Sequence, residues 1–293
     1  MTNRTKTRAQ KRAAEQVSGR RNGTKGRTTP GPRSRWPFAV IAGVVVAIVL
    51  IVVLGPGLRP SPPSVDTSAS AAAIQAVTGV PDAALEEAGV PTEISIDRAL
   101  PADTPLLQRD GKPEILYVGA EYCPYCAAHR WPLIIALSRF GTFSGLMTAH
   151  SSSLDFAPNT NTFSLANSFY ESPYIAFTSV ETADENGQRL EIPTPHEERL
   201  LRAFDPAGSI PFVLYGNRYV TVGSAVPPEQ INGLSYQQLA TAITDPASSP
   251  VGAQIDAQAN VITAAICQLT GGEPGDVCRA AAVQRATTQL PEV

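Results

Sequence analysis

A chain of 293 residues, 43% of them apolar, is long enough for one or two domains and rich enough in apolar side chains to bury a sizeable core. Its formal net charge of −3 hides an asymmetry, because residues 1–36 hold 11 Lys and Arg against the one acid Glu15, and the remainder nets −13. A basic tail and an acidic body are different objects, and no single charge figure describes both.

Residues 1–36 are rich in Arg, Lys, Thr, Gly and Gln and lack apolar periodicity, the pattern of a disordered tail. Contact with anionic lipid headgroups accounts for this charge, so no nucleic-acid partner is invoked. Residues 37–57 read as a transmembrane anchor. Phe38 to Leu54 carries no charged or polar side chain, and 23 uncharged residues separate Arg35 from Arg59, against the roughly 20 that a span requires. Trp36 stands where an interfacial aromatic anchors, and the basic flank keeps the N-terminus cytoplasmic. The run exceeds the ~7–15-residue core of a cleaved signal peptide. A single-pass protein of the cell membrane is expected, with the body outside the cytoplasm. Residues 58–70 form a Pro/Ser linker.

Residues 71–293 read as globular, and no internal repeat is visible. Ala71 to Ala76 and Pro81 to Ala88 suit short helices. Ile115 to Val118 is apolar at consecutive positions, as in a central strand covered on both faces. A helix of about 15 residues follows from Cys123 towards Phe140, with Leu133, Ile134, Leu137 and Phe140 at helical spacing. Gly145 to Ser151 and Tyr174 to Val180 suit strands, Asn159 to Ser168 is ambiguous, and Glu197 to Phe204 suits a helix. Phe212 to Tyr215 and Arg218 to Val222 flank Gly216-Asn217, a hairpin with a two-residue turn. Ser235 caps a helix that Asp245-Pro246 ends. Helices over Gln254 to Leu269 and Asp276 to Leu290 complete a C-terminal hairpin across 250–290.

The chemistry concentrates in Cys123-Pro124-Tyr125-Cys126. A strand–turn–helix unit puts Cys123 at a helix N-terminus, where unpaired N–H groups and the positive dipole end favour an anion. The thiolate is the nucleophile, and Cys126, one turn deeper, can attack a mixed disulfide formed by Cys123. Pro124 suits the first helical position. Glu121 opposes the thiolate mildly through its charge. Cys123, Cys126 and His129 also spell a Cys-x2-Cys-x2-His pattern, one ligand short of a structural zinc site, and a structural disulfide remains open. Haem attachment would require His at 127, where Ala stands. His129, His150 and His196 read as packed or surface side chains. Phosphate loops, paired catalytic carboxylates and Ser/His/Asp arrangements are absent as motifs.

The strand Ile115 to Val118, the Tyr-Cys-Pro-Tyr-Cys motif, Pro132 in the helix after it and Ser209-Ile210-Pro211 before the hairpin resemble the thioredoxin-like superfamily. Within it, the chain resembles a poorly characterised group of membrane-anchored bacterial proteins carrying that motif. The resemblance covers roughly residues 90–245. It implies an α/β fold with a mixed sheet flanked by helices and an insertion of about 60 residues before the cis-proline strand. It also implies that Pro211 is cis and that Ile210 offers backbone hydrogen bonds to an extended peptide. Pro124, Tyr125, Ile210 and Pro211 are then the substrate-contacting residues. The Pro-Tyr dipeptide is shared with glutaredoxins, but the match is local and glutathione binding is not transferred.

Cys267 and Cys278 flank a Gly/Pro turn and read as a structural disulfide, with a second redox pair as the alternative. The expectation is a thiol–disulfide oxidoreductase of unspecified direction, needing no cofactor or metal, that acts on cysteine-containing exported proteins. A membrane quinone-linked oxidoreductase is one partner able to reoxidise it. A non-catalytic scaffold with a structural disulfide, or a metal chaperone, are the rival readings.

Overall fold

The computed structural model describes residues 67–292. The basic tail, the expected anchor and nearly all of the linker lie outside the described residues. Among the described residues no helix is long and apolar enough to cross a membrane.

A mixed sheet organises the domain. Strand β3 (Lys112–Gly119) lies at its centre, after the two-residue strands β1 (Arg98–Ala99) and β2 (Gln108–Arg109). On one edge β3 pairs antiparallel with β9 (Phe212–Tyr215), which pairs with β10 (Tyr219–Val222), which pairs with β1. On the other edge it runs parallel to β8 (Ala176–Glu181), and its first residues pair with β2. The pleat sends alternate side chains to opposite faces, so the continuous apolar run divides between two cores. Ile115, Tyr117, Val213 and Tyr215 enter the larger core, and Leu116, Val118, Phe212 and Leu214 the smaller.

Helices cover both faces. Over the larger core lies α3 (Pro124–Ser138), burying Trp131, Leu133, Ile134 and Leu137. Over the smaller lies α4 (Pro195–Phe204), whose Leu200, Leu201 and Phe204 pack onto it. Thr194 and Glu197 close a capping box at the start of α4. The helix α6 (Tyr236–Thr244) begins on the same device, with Ser235 and Gln238.

The segment between α3 and Pro211 is not one insertion added to the sheet, because it supplies β8. The remainder forms two small ladders: β4 (Thr142–Ser144) with β7 (Phe169–Glu171), and β5 (Met147–His150) with β6 (Asn161–Ser164). The ambiguous stretch 159–168 thus contains a strand, recruited by pairing rather than by its own polar sequence. Phe163 of β6 meets Trp131 edge-on at 4.7 Å.

The C-terminal helices belong to the main core. Helix α7 (Pro250–Leu269) buries Ile255, Val261, Ile262 and Ile266 in the same cluster as Trp131. The expected continuous helix 276–290 is two pieces, α8 (Gly275–Cys278) and α9 (Ala281–Thr287). Ala280 is extended there (φ −58°, ψ 137°), and the Glu86 carboxylate accepts the Ala282 N–H at 3.0 Å, capping the second piece from another helix. The hairpin turn also differs from expectation. Gly216 and Asn217 both take positive φ and Arg218 N–H closes the turn on the Tyr215 carbonyl, but the register pairs Tyr219 with Tyr215, leaving Arg218 as an extra residue. The first helix, α1, starts at Thr67 (Thr67–Thr78), ahead of the border expected at 71.

Candidate functional site

Strand β3 delivers the chain to a turn in which Cys123 N–H donates to the Ala120 carbonyl at 3.3 Å. Cys123 is the N-cap of α3, with extended backbone (φ −79°, ψ 121°), and Pro124 takes the first helical turn. The cap acceptor is sulfur: Cys126 N–H donates to Cys123 Sγ at 3.3 Å. A helix N-terminus leaves such donors unpaired, so a thiolate here satisfies one of them.

Both cysteines are free thiols, Cys123 at 7% exposure and Cys126 at 0%. Hydrogen bonding from the Cys126 thiol is the largest influence lowering Cys123, to about 7; burial opposes it, and the backbone N–H groups of Cys126 and Tyr125 and the charge of Arg130 assist. Burial pushes the Cys126 thiol well up. The negative charge thus belongs on Cys123.

The β9 strand brings the second half of the site. The Ile210–Pro211 peptide bond is cis, and Cys123 Sγ lies 3.7 Å from the Ile210 carbonyl oxygen. Cys123, Cys126 and Ile210 therefore converge, with Pro211 beside them. Tyr125 is 43% exposed and its ring lies 5.6 Å from that of Phe156.

Apart from Glu121, the neighbours of the motif are not evident from the sequence. The loop 151–160 is pinned to the motif by Ser152 N–H donating to the Tyr122 carbonyl at 2.9 Å. It carries Phe156 and the almost fully exposed Leu154. A depression of about 290 Å³ beside it is lined by Tyr122, Leu154, Asp155 and Glu185. Glu121 is nearly buried and accepts from Ser164 Oγ. Burial raises its carboxyl, and Glu181 adds to that. Arg130, wholly buried, pairs with Glu181. The signal for Arg130 was present: a lone charge in a helix otherwise apolar from Trp131 to Leu137.

His129 is wholly buried, neither ring nitrogen has a hydrogen-bond partner, and burial lowers its pKa to about 4. Among the described residues, no group of three or more His, Cys, Asp or Glu side chains is placed to hold a metal ion. Cys267 and Cys278 are joined in a disulfide between the end of α7 and α8.

Residues 102–206 match a family described as a domain of unknown function (DUF929). No curated protein and no solved structure matches the chain. The matched segment takes in β2, β3, the cysteine motif, β8 and α4, and stops short of Ile210, Pro211 and the C-terminal helices.

Proposed function

We propose that this chain is a membrane-anchored, extracytoplasmic thiol–disulfide oxidoreductase of thioredoxin-like fold that acts on cysteines of exported proteins. The observation that carries the reading is Cys123, a free thiol capping a helix N-terminus, lowered to about 7, with a buried second thiol one turn behind it. An attacking thiol near ambient pH is close to the optimum for exchange, since lower values reduce nucleophilicity and higher ones reduce the thiolate fraction. The order strand, helix, parallel strand, helix, hairpin, helix around a mixed sheet resembles the thioredoxin-like core and supports the fold assignment. Anchoring and compartment rest on the apolar run Phe38 to Leu54 and its basic flank.

In the reducing direction the proposed reaction has two steps. The Cys123 thiolate attacks one sulfur of a substrate disulfide, forming a mixed disulfide and expelling a thiolate. Cys126 then loses its proton and attacks Cys123 Sγ, expelling the second substrate sulfur. Two electrons pass to the substrate, whose two sulfurs leave as thiols. The oxidising direction is the reverse. The Ile210 carbonyl, 3.7 Å from Cys123 Sγ, is placed to accept an N–H from an extended substrate chain.

Exchange with a model disulfide tests this. Wild type is expected to be active, Cys123→Ala inactive, and Cys126→Ser to accumulate a mixed disulfide at Cys123. Equal, negligible rates for all three would overturn the reading.

A further inference from the structure

Cys126 and Arg130 stand four residues apart on α3, a spacing that puts side chains on one helix face with about 5–6 Å between Cβ atoms. Both have 0% exposure, so they share the interior behind Cys123. Arg130 Nε and Nη2 donate to the two Glu181 carboxylate oxygens at 2.8 and 2.7 Å, and Nη2 also donates to the Ala120 carbonyl at 2.8 Å. That carbonyl is the one that accepts the Cys123 N–H. The third nitrogen, Nη1, is buried with no hydrogen-bond partner, and the guanidinium carbon lies 5.8 Å from the Tyr117 ring centre.

Withdrawing such a pair from water costs several kcal/mol per ion, and well-packed apolar residues in its place are often neutral or stabilising. Stability alone therefore gives no reason for it. On the reading of Cys123 and Cys126 as a redox pair, we propose that Arg130, held in register by Glu181, is a positioning residue whose buried positive charge stabilises first the Cys123 thiolate and then the transient Cys126 thiolate.

The titratable groups facing this charge are Cys123 and Cys126 from α3 and its cap, Tyr117 from β3, Glu181 from β8, Glu121 from the intervening turn and Tyr236 from α6. His129 is neutral near pH 7. Burial and the neighbouring Cys123 push the Cys126 thiol up; Arg130 is the group drawing it back, with Glu181 acting in the opposite sense and less strongly. During resolution the Cys126 proton goes to water or the departing thiolate, the new bond joins Cys126 Sγ to Cys123 Sγ, and Arg130 faces the charge while it exists.

Two variants of the full chain move in opposite directions. Arg130→Met/Glu181→Met removes both charges at similar volume, and Cys123 alkylation below pH 7 should slow about tenfold, equivalent to about one pKa unit. Decay of a Cys123–glutathione mixed disulfide should slow similarly. Glu181→Gln leaves the cation unopposed and should move the alkylation midpoint to lower pH. A folded double variant with the wild-type profile and decay, or two variants shifting the same way, would overturn the proposal. Should neither variant fold, the Arg130 Nε resonance of the unmodified protein must move with pH through the Cys123 midpoint; a resonance that stays still overturns it. Absence of model-disulfide exchange in wild type sinks the redox reading itself, whereas the alkylation profiles test Arg130 independently of turnover.

Discussion

Cys123 Sγ lies 3.7 Å from the carbonyl oxygen of Ile210, a residue 87 positions later in the chain. Two elements create this contact. The β3–α3 turn lifts Cys123 to the end of the sheet, and the antiparallel pairing of β9 with β3 carries Ile210 to the same end. A thiol and a backbone acceptor are thereby brought side by side at the mouth of a nearly closed site.

Cys123 is expected to alkylate selectively. Its thiol is lowered to about 7 while burial holds Cys126 protonated. Iodoacetamide labelling followed by mass spectrometry should rise with a midpoint near pH 7 on Cys123, with Cys126 unlabelled below pH 8. Equal labelling of the two, or a midpoint near 9, contradicts the assigned charge.

Cys267→Ala/Cys278→Ala should destabilise without changing exchange chemistry. The bridge closes a loop with a sequence separation of 11, and cross-links of that size are worth about 3 kcal/mol. Denaturant unfolding should show that loss, while model-disulfide exchange by the folded variant matches wild type. A variant with normal stability and impaired exchange would make this bridge a second redox pair.

Asp256 sets a pH dependence of stability. It is wholly buried on α7, neither carboxylate oxygen has a hydrogen-bond partner, and burial raises its pKa from 3.8 to about 8. Between those values the folded chain keeps a proton that the unfolded chain has released. Its contribution is therefore greatest below about pH 4, declines as pH rises, and has been lost by about pH 8. Asp256→Asn stays neutral and should exceed wild type by roughly 5 kcal/mol at pH 8 and by roughly 2 kcal/mol at pH 5. Unfolding titrations at both pH values check this; the same difference at both would refute it.

Gly119→Ala should weaken the floor of the site. A Cβ at this position would come 2.1 Å from the Tyr117 hydroxyl and 2.5 Å from its ring, and that ring is wholly buried. Overpacking of this kind costs roughly 1–3 kcal/mol. Tyr117→Phe in the same background should recover part of the loss, because it removes the oxygen nearest the new methyl; no recovery would mean that the clash lies elsewhere.

What was legible in the sequence was local. The run Ile115 to Val118, the proline after Cys123 and the helix cap at Ser235 each specify their own surroundings. The site's long-range partners were not legible in this way. Glu181 reads as an ordinary acid at the end of a strand until the parallel pairing of β8 with β3 sets it against Arg130. The loop 151–160 carries polar and apolar residues with no periodicity, and its place beside Tyr125 follows from the β5–β6 ladder. The break at Ala280 depends on Glu86, far away in sequence. The second helix expected over Asp276 to Leu290 is interrupted for that reason, since local spacing alone favoured continuing it.

The central claim is that Cys123 and Cys126 interconvert between dithiol and disulfide at accessible potentials. Equilibrating the full chain with glutathione buffers, alongside Cys267→Ala/Cys278→Ala, measures this directly. The expected result is one two-electron transition between about −120 and −270 mV, the range from strong oxidants to thioredoxin. A pair that stays oxidised in the most reducing buffer, or reduced in the most oxidising one, would contradict it.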